Sequence, residues 1–147
     1  MSVSYTWVGW TRDKKRYDAA AVALAAAFIG VFWALSFVAL PAAGRPDPVV
    51  LLLRSLGVCA TALLHIVLWI GPLARLDRRL LPLLYNRRHL GVITFLIGAG
   101  HGVLATLYYH GFGNVNPLVS LLTSNTSYGS LARFPFESLG LAALAIL

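Results

Sequence analysis

Long uncharged stretches alternate with short basic or turn-rich segments along this chain. The first uncharged run, Ala19–Leu40, is long enough as a helix to cross ~30 Å of hydrocarbon. Arg12, Lys14, Lys15 and Arg16 precede it and Ala42-Ala43-Gly44 follow it, an order shared with secretory signals. Cleaved signals use only about 7–15 apolar residues, so this run reads as a retained span. Its many alanines permit close approach of neighbouring helices. Pro41–Pro48 reads as a turn. A second span is expected from about Val49 to Leu73, with Arg54 near its start and Gly71-Pro72 at its end. A polar connection follows, carrying Arg75, Asp77, Arg78, Arg79, Arg87 and Arg88.

The third span is expected over about Leu90–Tyr109. His110–Arg133 is rich in Gly, Asn and Ser and reads as a loop, with a short interfacial helix near Leu118–Leu122. A fourth span begins between Phe136 and Gly140. From Ser138 the uncharged stretch runs to Leu147, ~15 Å of helix and about half the hydrocarbon thickness. This reads as a helix cut within the bilayer. The fold class expected is therefore all-α: a polytopic transmembrane helix bundle with three full spans and a truncated fourth. Residues 1–17, with Trp7 and Trp10 beside the basic cluster, form an interfacial head, and 18–147 form the membrane domain.

Composition agrees. The 147 residues are 59% hydrophobic and only 12% charged, and mean hydropathy is +0.76. About a quarter of a soluble domain's residues are charged, so lipid is the expected solvent for most of this chain. The net charge of +7 is distributed unevenly. The N-terminal cluster and the arginines of the second connection fall on one side, against Arg45 and Arg133, with Arg54 close by, on the other. The positive-inside rule makes the N-terminus and the Arg-rich connection cytoplasmic. Basic residues that flank apolar spans do not form a nucleic-acid surface. The single Cys59 leaves no disulfide and no cysteine-rich metal motif within the chain.

Ionisable residues within spans are costly and mark functional candidates. On the third helix Arg87, Thr94, His101 and Tyr108 recur every seven residues and share a face. His101 lies about 16 Å along the helix from Leu90, near or just past the midplane. Gly98, Gly100, Gly102 and Ala105 surround it and leave room for a large flat ligand such as a haem. Small residues at a packed helix pair would look the same. Two readings of His101 therefore stand: a metal ligand, or a histidine bonded to a carbonyl or hydroxyl of a neighbouring helix. On the second helix Arg54, Thr61 and His65 share a face that is expected to point into the bundle. His65 is either a second ligand or a structural hydrogen-bonding group, and Arg54 either snorkels or pairs with a haem propionate. His89 and His110 read as solvated boundary residues. Two imidazoles on facing helices would fill both axial positions of an iron and leave none for oxygen. Asp13, Asp18, Asp47, Asp77 and Glu137 form no pair within a span, so a carboxylate proton relay is not expected. Phosphate loops, Ser-His-Asp arrangements and zinc spacings are absent.

Gly71-Pro72-Leu73, then Arg87-Arg88-His89-Leu90-Gly91, Phe95 and His101 together resemble the ferric reductase-like transmembrane domain. That group includes ferric reductases, NADPH oxidases and the haem-binding membrane subunit of the bacterial methionine sulfoxide reductase system. The similarity covers roughly Arg54–His101 and, more loosely, Phe134–Leu147. It implies that His101 is the outer haem ligand of the third span. In the reductases and oxidases a second histidine, 14 positions earlier, ligates an inner haem. Arg87 stands there in this chain, as arginine does in the methionine sulfoxide branch. The resemblance also implies partner histidines on a later span beyond Leu147, and a flavin or iron–sulfur centre on a partner or downstream domain. His65 has no counterpart in the family pattern.

The function expected is a haem b-binding electron-transfer component of a bacterial inner membrane. It would pass electrons between a cytoplasmic donor and a membrane or periplasmic acceptor, with a soluble or fused redox partner. His101, His65, Arg87 and Arg54 are its candidate site residues. The alternative is a non-redox scaffold or small-solute permease with structural histidines.

Overall fold

A computed structural model describes residues 11–124 and 134–146; of the expected 1–17 head, residues 1–10 with Trp7 and Trp10 lie outside the described residues, as do Asn125, Ser127, Gly129 and Arg133, while residues 12–17 continue the first span as helix. The described residues are helical, without strands: α1 Arg12–Ala39, α2 Pro48–Leu76, α3 Leu81–His110, α4 Pro117–Ser124 and α5 Phe136–Ile146. Three of them, α1, α2 and α3, are long and apolar enough to cross a membrane. The eleven residues of α5 are apolar but too few to cross one.

Local chemistry fixes the helix ends. Thr11 caps α1 by accepting from the Lys14 amide at 3.4 Å. At its other end Arg45 folds back to donate to the Leu40 and Phe37 carbonyls at 3.1 and 2.7 Å, with its guanidinium 4.9 Å from the Phe37 ring centroid. A cation thus meets the exposed carbonyls and the negative end of the helix dipole. Asp47 caps α2 through the Val49 amide at 2.8 Å, with Pro48 in the first turn, where its missing N–H has no intrahelical partner to lose.

Two boundaries differ from expectation. Pro72 does not end α2, which runs on to Leu76. Proline removes one hydrogen bond, but the remaining turn is held by Asp77 N–H donating to the Leu73 carbonyl at 2.9 Å. Nor is the polar connection an extended loop. Only Asp77 and one 3-10 turn, Arg78–Leu80, separate α2 from α3. Arginine is a good helix former, so a charged stretch that leaves the bilayer continues as helix. The small helix expected at Leu118–Leu122 is present as α4.

The tight turn makes α2 and α3 an antiparallel hairpin, the principal packed pair, with α1 against both and α4 and α5 against α3. The buried residues among those described are few: Ala25, Leu51, Leu53, Ser55, Cys59, Ile70, Ala74, Leu90, Thr94, Leu121 and Pro135. Large side chains such as Leu24 and Val38 stay outside at 72% and 86% exposure. Water would penalise so much apolar surface, and lipid does not, so the helices point to a bilayer environment.

Candidate functional site

One register organises the hairpin. A Cβ on Gly57 would meet the His101 ring at 3.0 Å, one on Gly71 would meet Arg87 Nη1 at 3.4 Å, and one on Gly98 would lie 3.9 Å from the Ala60 Cβ. In each pair the residue numbers add to 158, the signature of antiparallel helices in constant register. The expected α3 stripe of Arg87, Thr94 and His101 therefore faces α2. Thr94 is buried and donates back to the Leu90 carbonyl at 2.8 Å.

His101 is held from two directions. Its Nδ1–H donates to the Leu53 carbonyl of α2 at 2.9 Å. Its ring rests where Gly57 has no side chain. The hydrogen bond to a neighbouring helix is thus present, but it uses one nitrogen only. With Nδ1 as donor, neutral imidazole keeps its lone pair on Nε2, which has no protein partner among the described residues. A carbonyl on the far ring nitrogen is the usual way a protein fixes the tautomer of a metal-ligating histidine.

Beside His101 lies an open hollow of about 670 Å³ between α2, α3, α4 and α5, lined by Gly57, Thr61, Thr94, Ala105, Thr106 and Leu141, with His110 and Glu137 also on its wall. That volume lies within the usual range for ligand sites, and the mostly apolar lining suits a large planar cofactor. Gly98, Gly102 and Ala105 line this hollow, and the facing helix contributes a further glycine, Gly57. Gly98 and Gly102 are occupied from α5: Leu144 lies 3.4 and 3.8 Å from where their Cβ atoms would be. Gly57, on the facing helix, is what admits the imidazole. A sequence signal for it existed: Gly57 and Gly71 are spaced fourteen apart, as are Arg87 and His101.

His65 is not brought to this hollow. It lines a separate, smaller one with Ile66, Trp69, Ile70, Leu73, Leu80 and Leu83. Arg54, Thr61 and His65 are all exposed, and only Thr61 of this stripe lines the larger hollow, so the stripe does not point into the bundle as one face. His65 Nδ1–H donates to the Thr61 carbonyl of its own helix at 2.7 Å, which lowers the cost of its exposed position. Arg54 has no hydrogen bond or ion pair among the described residues. Were a haem to sit in the larger hollow, His101 is the residue there that could hold its iron, and His65 lies outside that hollow.

Two histidines expected to be solvated are instead paired. His89 Nδ1–H donates to Asp18 at 3.1 Å, tying α3 to α1. His110, whose side chain is only 9% exposed, donates from Nε2 to Glu137 at 3.2 Å and accepts at Nδ1 from the Ser120 hydroxyl at 2.9 Å. Ser124 also donates to Glu137, at 3.0 Å. This network joins α3, α4 and α5 at one end of the hollow. Sequence distance hid both pairs. No family model, curated protein or solved structure matches this chain.

Proposed function

We propose that this chain is a haem b-binding membrane electron-transfer component of the ferric reductase-like type, in its bacterial branch. The observation that carries the reading is His101, whose Nδ1–H is anchored on Leu53 at 2.9 Å while Nε2 keeps its lone pair. A haem bound there would carry single electrons by cycling between ferric and ferrous iron. The Leu53 carbonyl would orient the imidazole and fix its tautomer. Gly57 lets the ring approach α2, and the apolar wall of the hollow keeps water from it. Arg87, seated on Gly71 two turns closer to the hairpin turn than Thr94, places a cation on the stripe's other end. It is proposed to lie near the donor side, and Arg54 to pair with a propionate. The resemblance would have a partner histidine from another span help hold the same group.

The proposed topology has the N-terminus and the α2–α3 turn in the cytoplasm of a bacterial inner membrane, and α5 as the start of a fourth span. Electrons would come from a cytoplasmic flavin or iron–sulfur partner and leave towards a membrane or periplasmic acceptor. The test is haem content: the full-length protein, expressed with haem supply and purified, carries b-type haem near stoichiometry if the reading holds. A colourless, folded protein rejects it.

One observation favours a second reading. Leu144 fills the Gly98/Gly102 groove as an ordinary packing side chain would. In a non-redox scaffold or small-solute permease the glycines serve that contact alone and His101 is a structural hydrogen-bond donor. The haem assay separates the two.

A further inference from the structure

The second hollow, which the electron-transfer reading leaves unused, lies at the hairpin end of α2 and α3. Its volume is about 250 Å³ and its wall is Ile66, Trp69, Ile70, Leu73, Leu80 and Leu83, with His65 at the deep end. Along α2, from Leu73 back to His65, it extends about 12 Å, most of one leaflet's share of a ~30 Å hydrocarbon layer. A narrow apolar groove of that depth matches one acyl chain.

The rim of the groove is strongly basic. Between Leu73 and Leu83 the chain turns through Arg75, Arg78 and Arg79, all exposed. Arg88 is exposed one turn further along α3 than Leu84. Among the described residues, none of these four guanidinium groups has a hydrogen bond or ion pair. The one acid of the turn, Asp77, is already engaged: its side chain accepts from the Arg79 amide at 2.9 Å. With one carboxylate among four exposed guanidinium groups, this end of the hairpin carries a net positive charge next in sequence to Leu73, Leu80 and Leu83 of the slot. Arginine's fork of donors suits phosphate, and basic pockets at helix ends are where anionic lipid head groups bind.

We propose that the α2–α3 hairpin end is a binding site for one anionic phospholipid, its phosphate on Arg78 and Arg79 and an acyl chain in the groove lined by Trp69, Leu73 and Leu83. The site does not depend on haem. It differs from general attraction of basic residues to a charged surface because it requires the groove as well as the charge.

The test uses the full chain in nanodiscs containing equal phosphatidylglycerol and phosphatidylcholine, followed by native mass spectrometry of the released protein. The expected result is one retained phosphatidylglycerol, in preference to phosphatidylcholine. Arg78→Gln with Arg79→Gln weakens retention roughly thirtyfold, the effect of two juxtamembrane charges at an anionic surface. Leu83→Trp, which fills the groove and keeps every charge, also displaces the lipid. Arg12→Gln with Lys15→Gln removes the same charge elsewhere and leaves retention unchanged. Should Leu83→Trp misfold, Arg78→Lys with Arg79→Lys keeps charge and loses the guanidinium forks, and weaker retention is expected. Equal retention of both lipids overturns the site. So does equal loss from the Arg12/Lys15 variant, or full retention in a folded Leu83→Trp protein.

Discussion

The seating of His101 on Gly57 makes a sharp prediction about two glycines. Replacing either Gly57 or Gly100 by alanine removes a flexible residue from a helix interior, which favours the helix by about 1 kcal/mol. At Gly100 nothing lies within 4 Å of the new methyl group, so the gain stands alone. At Gly57 the methyl would meet His101 Cε1 at 3.0 Å and both ring nitrogens at 3.4 Å. The ring cannot simply swing aside, because Nδ1 is bonded to Leu53. Moving it forfeits about 1 kcal/mol of hydrogen bond, and holding it in place costs about 1–3 kcal/mol of overpacking. Gly100→Ala is therefore expected to be stabilised by about 1 kcal/mol, and Gly57→Ala, which carries the same helix gain, to lie about 1–3 kcal/mol below it. Thermal unfolding in one detergent, followed by tryptophan fluorescence, is expected to place Gly100→Ala above wild type and Gly57→Ala level with wild type or below it. Gly71→Ala is an internal comparison. Its methyl would face only the tip of Arg87 at 3.4 Å, a flexible group that can yield, so the cost is expected to be small. If Gly57→Ala were as stable as Gly100→Ala, the ring would not rest on α2, and the account of the site would fail.

Other expectations follow from the same contacts. Leu144→Ala empties the seat between Gly98 and Gly102; with Leu144 only half-buried, a loss of about 1–2 kcal/mol is expected in thermal unfolding, below the range for fully buried leucines. Glu137→Gln keeps the shape of the His110 network but removes its charge, and Ser120→Ala removes one link; each is expected to loosen α4 and α5 and to raise hydrogen exchange in α4 over wild type. The Asp18–His89 pair is half-buried, and a double-mutant cycle with Asp18→Asn and His89→Gln is expected to give a coupling of about 1 kcal/mol or less. Arg45→Ala leaves the Phe37 and Leu40 carbonyls without their guanidinium, and faster exchange of the Leu40 amide is expected as the last turn of α1 frays.

Apolar run length identified the three long helices, because crossing a bilayer leaves little choice of residues. It did not place the helix ends, since Arg75 to Arg88 are as compatible with helix as with loop. Seven-residue spacing placed Arg87, Thr94 and His101 on one face, and that face does meet α2. What meets it was not legible: Gly57 and Leu53 contribute an absent side chain and a backbone carbonyl, neither of which carries a chemical label in a sequence. The glycines on His101's own helix drew attention because they were close in sequence, yet Gly98 and Gly102 receive Leu144. His65 shows the opposite failure. Its spacing with Arg54 and Thr61 suggested one inward face, but Thr61 lines the larger hollow and His65 the smaller, and periodicity alone does not say where each position of a stripe lands. Asp18 with His89 and His110 with Glu137 were missed because complementary charges far apart in sequence give no local pattern.

The central claim is that His101 ligates a haem. The most direct measurement is the reduced-minus-oxidised visible spectrum of the full-length protein beside its His101→Ala variant, both purified with haem supplied and compared at equal helical content. A b-type spectrum in the wild type that is lost or strongly shifted in the variant is the result expected. An identical haem spectrum in a folded His101→Ala protein would contradict it.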